Sequence, residues 1–98
     1  MARYKLSRKA IADLDGIWDY TVEVWSESQA EKYYSQIVES IMGLSTLPNG
    51  KSRSYDVVKP GLWGYHVGHH IVLYKKTSDG SVWVDRILHE KMDFVRHL

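Results

Sequence analysis

The spacing of apolar residues divides the chain into a helical first half and a strand-rich second half. A short polar–apolar alternation at Arg3–Ser7 predicts a strand. Apolar residues then recur every three or four positions as far as Trp25, as they do along one side of an amphipathic helix. Ser7 is the predicted N-cap of this first helix, which begins at Arg8.

A second helix is predicted after a short break. The sequence SQAE, Ser28–Glu31, has the spacing of a capping box, in which the serine hydroxyl and the glutamate carboxylate satisfy backbone amides. An apolar stripe runs from Ala30 to Leu44, and LPNG at Leu47–Gly50 ends it, because proline cannot continue the helical hydrogen bonds. Two neighbouring helices with a short connection are expected to form an antiparallel hairpin.

The second half of the chain has the pattern of strands. A polar connection, with a short extended piece at Tyr55–Val58, leads into β-rich runs at Leu62–Val67, His70–Lys76 and Ser81–Leu88. An Asp-Gly pair between the last two runs is a strong hairpin signal. The predicted fold class is α+β: an N-terminal strand, a two-helix antiparallel hairpin, then a three-stranded antiparallel meander packed on the helices. We expect a single domain over residues 1–98.

Composition narrows the function mainly by exclusion. Thirteen basic and twelve acidic residues leave a net charge of +1, which gives no argument for a nucleic-acid binder. The chain has no cysteine, and therefore neither a disulfide framework nor a thiolate metal site. No signal peptide and no membrane-length apolar run is visible, so we expect a soluble, cytoplasmic protein without membrane contact. Four Trp and seven Tyr are many for this length, and aromatic side chains are favoured at protein interfaces.

Histidines and cations are the candidate groups for chemistry. Five histidines occur, but without an HExxH spacing, and neighbouring strand residues point to opposite faces, so we expect no metal site and no cofactor. Metal-independent cleavage of RNA needs a general base, a general acid and cations beside the phosphate. The side chains that could supply these groups are Lys51, Arg53, Lys59, His66, Arg86, His89 and His97. None of them lies in a motif that fixes their geometry.

Acidic residues of the first helix form a second group of interest. The positions are Asp13, Asp15, Asp19 and Glu23. A solvated helix face is the ordinary interpretation of such a group, and a docking strip for a basic partner is the alternative. On the last strand, alternation predicts that Arg86 shares one face with Val82, Val84 and Leu88, while Trp83, Asp85 and Ile87 lie on the other. The guanidinium of Arg86 must then find an acceptor or reach the rim of the sheet.

Several longer stretches form a recognisable pattern from Arg3 to Asp93. The first helix carries LSRKAIADLDGIWDYT, and the strands carry PGLWGYHVGHHIVLYKKTSDGSVWVDRILHEKMD. The most specific parts are Pro60-Gly61, the IVLYK strand with Tyr74 and Lys75, and RILHEKMD at Arg86–Asp93. With this pattern, the chain resembles the ParE branch of the RelE/ParE toxin superfamily. Members of this superfamily are the toxin halves of type II toxin–antitoxin modules. Each is held inactive by an antitoxin whose C-terminal segment wraps around it.

The resemblance implies one of two activities. RelE-like members cut messenger RNA on the ribosome, often with a tyrosine or histidine near the C-terminus, whereas ParE-like members inhibit DNA gyrase and block DNA replication. The C-terminal HEKMDFVRHL contains no tyrosine, which favours a ParE-like toxin that is not an enzyme; His97 keeps the ribonuclease alternative open. A degenerate toxin that retains only antitoxin binding is a further alternative.

The implied partners are a cognate ParD-like antitoxin, in a hetero-oligomer, and DNA gyrase as the target. DNA would be contacted only through the antitoxin. No residue is assigned to catalysis. The candidates for target binding are Arg86, His89, Lys91, Met92, Phe94 and Arg96. The candidates for antitoxin binding are Asp15, Trp18, Asp19, Val22, Trp25 and Tyr34.

Overall fold

The computed structural model of the chain describes residues 3–47, 51–92 and 94–97. Its first two elements are strand β1, Tyr4–Leu6, and helix α1, Arg8–Val24. The Ser7 hydroxyl accepts a hydrogen bond from the Ala10 backbone N–H at 2.9 Å, so the predicted strand, N-cap and helix start are all confirmed.

Helix α2 spans Glu27–Gly43 and is capped by Ser26 rather than by Ser28. Ser26 has an extended backbone, and its hydroxyl accepts from the Gln29 backbone N–H at 3.0 Å. The predicted capping box at Ser28–Glu31 is therefore wrong, because the helix has already begun where that box would start it. A single 3₁₀ turn at Leu44–Thr46 follows α2, and Pro48–Gly50 of the predicted stop lie outside the described residues.

The two helices pack as the predicted hairpin. The rings of Trp18 on α1 and Tyr34 on α2 meet edge to face, with their centroids 5.8 Å apart. Within the described ranges, neither helix is long and apolar enough to cross a lipid bilayer.

The strands form one five-stranded sheet. Strands β2 (Arg53–Ser54), β3 (Trp63–Val67), β4 (His70–Lys76) and β5 (Val82–His89) follow α2, and a short helix α3, Phe94–His97, ends the described chain. The strand order is β1-β5-β4-β3-β2, so the meander β3–β5 is confirmed. β1 pairs with β5 in parallel, and the other pairs are antiparallel.

The predicted extended piece at Tyr55–Val58 is wrong. The backbone there turns back on itself, with the N–H groups of Val58 and Lys59 both donating to the Tyr55 carbonyl, at 2.9 and 3.1 Å. The only strand residues of this connection within the described ranges are the pair in β2 just before it.

Both faces of the sheet are covered. The main core lies between the helices and the sheet, and its buried residues include Ala10, Leu14, Ile37, Ile41, Val72, Tyr74, Val82, Val84 and Ile87. A smaller cluster of Leu62, Ile71, Leu73 and Leu88 is covered by Tyr55 and by Phe94 of α3. The C-terminal helix therefore contributes a side chain to the second core.

A β-bulge in β5 overturns the predicted alternation along this strand. Leu73 pairs with Arg86 while Tyr74 pairs with Val84, so Asp85 is the extra residue. Past the bulge the faces exchange: Ile87 joins Val84 in the main core, and Leu88 joins the second cluster. Arg86 consequently does not share a face with Val82 and Val84.

The capping assignment predicts different costs for two serines that are two positions apart. Ser26→Ala removes the acceptor of the Gln29 N–H and is expected to lower the free energy of unfolding by about 1 kcal/mol. Ser28→Ala, in the exposed first turn of α2, is the control and is expected to change it by less than about 0.5 kcal/mol. Urea denaturation measures both values, and an equal cost for the two variants would contradict the assignment.

Candidate interaction surfaces

Arg86 is held by a carboxylate of the first helix. Its Nε donates to Asp13 Oδ2 and its Nη2 donates to Asp13 Oδ1, each at 2.8 Å. Both side chains are only 15% exposed, so this is a largely desolvated, bidentate pair. Hydrogen bonding to Asp13 raises the pKa of Arg86.

The same carboxylate closes the edge of the sheet. β1 ends at Leu6, opposite Val84, and beyond it Ser7 continues with two bonds to β5, from its N–H to Val84 O and from its hydroxyl to Asp85 O. The next bond to this edge comes from Asp13, whose Oδ2 accepts the Ile87 N–H at 2.9 Å. Asp13 thus satisfies an edge amide that β1 is too short to reach.

The sequence interpretation placed Asp13 wrongly. It was expected on a solvated face with Asp15 and Asp19, but it is largely buried, while those two are exposed. Because each residue of a helix advances by about 100°, Asp13 and Asp15 lie roughly 160° apart around α1. This spacing could have shown that the two side chains cannot both lie on the solvated face.

The end of β5 brings His89, Lys91 and Met92 together at the surface. His89 is half-buried, with its ring edge-on to His70 at 5.3 Å between centroids. A turn follows, in which the Met92 N–H donates to the His89 carbonyl at 2.9 Å. Lys91 and Met92 are exposed on this turn, as a contact surface for a partner requires.

The last two target-binding candidates lie on α3 and differ in burial. Phe94 is partly buried, with its ring centroid 5.4 Å from that of Tyr55, over the second core cluster. Arg96 is exposed. Of the six candidates, Lys91, Met92 and Arg96 are therefore accessible, whereas Arg86 and Phe94 serve the fold.

An apolar groove of about 440 Å³ runs beside α1 at this end of the sheet. Its walls include Ile17 and Tyr20 from α1, and Leu88, His89 and Met92 from the end of β5. Sequence reasoning missed Tyr20, which is 64% exposed. Its position off the main apolar stripe of α1 was the available signal.

The antitoxin-binding candidates form a contiguous strip on the helical hairpin. Trp18, Val22 and Trp25 follow one another at spacings of four and three, and Tyr34 of α2 packs against Trp18. Trp25 is 73% exposed. The exposed carboxylates of Asp15 and Asp19 flank this strip on α1.

The histidines are arranged around Glu90. His66 Nε2 and His69 Nδ1 lie 2.9 and 3.1 Å from its two carboxylate oxygens. Hydrogen bonds from His69 and His66 lower the pKa of Glu90. Across the residues that the structure describes, no three His, Asp or Glu side chains converge as metal ligands.

Comparison with known proteins gives one consistent family. Residues 4–94 match the family described as "ParE toxin of type II toxin-antitoxin system, parDE". The chain belongs to the ParE toxin family. Toxin ParE1 of Mycobacterium tuberculosis is 36% identical over 97 residues, which is 99% of this chain and 98% of that protein. Toxin ParE1 of Caulobacter vibrioides is 33% identical, over 100% of this chain and 99% of that protein.

The fold of this ParE-family toxin is also found in a solved structure. A chain of the "Chromosomal ParDE TA system from P. aeruginosa" matches with a TM-score of 0.76 and 28% identity, over 91% of this chain and 96% of that one. The α+β arrangement predicted from the sequence is thus confirmed in both the family and the structure.

The Asp13–Arg86 pair predicts unequal effects for two carboxylates of α1. Asp13→Asn removes the carboxylate charge that pairs with the guanidinium at 2.8 Å and is expected to cost about 2–3 kcal/mol of stability. Asp15→Asn, at the exposed surface of the same helix, is the matched control, with an expected change within about 0.5 kcal/mol. Chemical denaturation of both variants at neutral pH is the measurement; similar values for the two would show that the pair contributes little.

Proposed function

We propose that this ParE-family chain is a toxin that acts by binding rather than by catalysis, inhibits DNA gyrase, and is neutralised by a ParD-like antitoxin. The observation that carries the proposal is the match to ParE toxins along almost the whole chain. The similar solved structure belongs to a chromosomal ParDE TA system of P. aeruginosa, which supports an antitoxin partner.

The state of the candidate cations supports binding over RNA cleavage. A ribonuclease needs cations that are available to the phosphate as its negative charge grows. Here Arg86 is compensated by Asp13, and Lys59 Nζ lies 2.9 Å from Asp85 Oδ2. The His66 imidazole lies 2.9 Å from a Glu90 carboxylate oxygen, which compensates it only when it is protonated. Arg86 and Lys59 are therefore charge-compensated within the fold, whereas Lys51 and Arg53 are exposed. The side chain of His97 lies outside the described part.

The helical hairpin offers a surface for the antitoxin. An amphipathic helix of a partner can lay its apolar face on the strip of Trp18, Val22, Trp25 and Tyr34, since such grooves recognise residues at helical spacing. Exposed aromatic side chains are the usual anchors of interfaces. The flanking carboxylates of α1 favour basic side chains at the rim of the partner helix.

Trp25→Ala is expected to weaken antitoxin binding strongly. An interface anchor of this kind contributes about 2 kcal/mol or more, which corresponds to roughly a thirtyfold rise in Kd. Val57→Ala, at a fully exposed position in the loop after β2, is the control and is expected to leave Kd unchanged. Calorimetry with the antitoxin measures both. Unchanged affinity of Trp25→Ala would place the antitoxin on another surface.

The proposed gyrase-binding surface is tested with substitutions of exposed residues rather than with a truncation. Removing the chain after Leu88 would also remove Phe94 and uncover the second core cluster. Lys91→Glu combined with Met92→Ala changes only exposed side chains. It is expected to weaken inhibition of gyrase supercoiling by about tenfold or more, with antitoxin binding unchanged. Lys76→Glu, exposed at the opposite end of β4, is the control.

The same assays separate the alternatives. Purified gyrase that supercoils normally in the presence of the protein, together with codon-specific cuts in cellular messages, would favour the RelE-like endoribonuclease. Harmless expression without any antitoxin, with antitoxin binding intact, would favour the degenerate toxin. Inhibition of gyrase that antitoxin relieves is the expected outcome.

A further inference from the structure

Four histidines meet at one end of the sheet. His66 lies on β3, His69 in the turn, His70 at the start of β4, and His89 at the end of β5. The rings of His69 and His89 are stacked with centroids 6.2 Å apart, and His70 lies edge-on to His89. Of these four residues only His89 is a candidate for target binding, and the proposed function gives the cluster as a whole no role.

The cluster also holds α2 against the β3–β4 turn. The Tyr33 hydroxyl of α2 lies 2.6 Å from His70 Nδ1, accepts the His69 N–H at 3.2 Å and lies 3.1 Å from the Val67 carbonyl. The Tyr33 ring packs directly against Gly68 of the turn. A Cβ atom at Gly68 would lie only 2.6 Å from a carbon of that ring. One hydroxyl thus joins the helix to three residues of the β3–β4 turn and its flanking strands.

The charges around His70 are unbalanced once the imidazoles gain protons. Four imidazolium groups would then face two carboxylates, Glu90 and Asp13, and Asp13 is already paired with Arg86. Imidazoles gain their charge in the mildly acidic range. At His70 the cost of burying a charge adds to this repulsion, since the imidazole is half-buried and adjoins both His69 and His89.

We propose that this histidine cluster is an acid-sensitive latch: it holds the β3–β4 turn on α2 at neutral pH, and protonation releases the turn. The latch is a property of the fold and does not depend on which partner the toxin binds. It lies beside the surface of Lys91 and Met92, so its release alters the support of that surface.

The direction of the pH effect follows from His70. Burial, with the charges of His89 and His69, lowers the pKa of His70 from 6.5 to about 4. Between pH 6.5 and about pH 4, the unfolded chain binds a proton at His70 that the folded protein does not. The contribution of His70 to the free energy of unfolding is therefore complete above pH 6.5 and decreases as the pH falls toward about 4. The pairs of His66 and His69 with Glu90 strengthen on protonation and oppose this loss, but both imidazoles are mostly exposed and their pairs contribute little.

The test compares stability between pH 7 and pH 5 in the full chain. The folding equilibrium constant of the wild type is expected to fall by about tenfold or more over this range. His70→Asn keeps a polar group near the position of Nδ1 but cannot gain a charge. The folding equilibrium constant of this variant is therefore expected to fall much less between pH 7 and pH 5 than that of the wild type. His66→Gln removes an exposed imidazole of the same cluster, and its folding equilibrium constant is expected to fall as much as that of the wild type.

Two measurements on the wild type test the latch without a variant. The His70 imidazole of the folded protein is expected to titrate below pH 5 by NMR. Amide exchange, corrected for intrinsic rates, is expected to lose protection at His69 and Glu90 on acidification before it does so at Val72 in β4. A His70 that titrates near 6.5, an unchanged fall in His70→Asn, or equal loss of protection at all three amides would overturn the proposal.

Discussion

The carboxylate of Asp13 is the constraint on which the arrangement of α1 and β5 depends. It compensates Arg86 with both oxygens and also accepts the Ile87 N–H of the sheet edge. An arginine side chain that is only 15% exposed would be costly without such a partner, and an uncovered edge would offer its amides to other chains. Because one side chain meets both needs, α1 has a fixed position over the half of β5 that β1 does not reach.

The bulge at Asp85 determines which residues of β5 lie on each face of the sheet. Before it, Val82 and Val84 pack under the helices; after it, Leu88 packs in the second cluster with Phe94. The extra residue turns its carboxylate to Lys59 and its carbonyl to Ser7. The C-terminal segment is thereby tied to the core, and its exposed residues are presented by an ordered support rather than by a loose tail.

The elements of this fold are readable from the sequence, whereas several contacts between them are not. Helical and strand periods, the Ser7 cap and the Asp-Gly turn each depend on local residues, and they predicted β1, both long helices and the meander β3–β5 correctly. They did not predict β2 or α3, and the extended piece at Tyr55–Val58 was wrong. The SESQ and SQAE spacings overlap at the start of α2, and only the backbone conformation of Ser26 decides between them. Nothing in VWVDRIL marks the bulge, because no glycine or proline interrupts the run. The parallel register of the three-residue β1 likewise depends on tertiary contacts.

The candidate surfaces could not be fully predicted from the sequence either. Periodicity cannot distinguish an apolar stripe that is buried in the core from one that a partner covers. Leu14 and Trp25 both belong to the apolar pattern of α1, yet the first is buried and the second is 73% exposed. The last turns of α1 also expose Tyr20 and Val24, which lie on other sides of the helix. A domain of this size cannot enclose a helix that is apolar on several sides, and such surfaces mark sites of association. A partner that covers them adds its binding free energy to the stability of the toxin. If the antitoxin binds this surface, as we propose, the same contact neutralises the toxin and stabilises its fold.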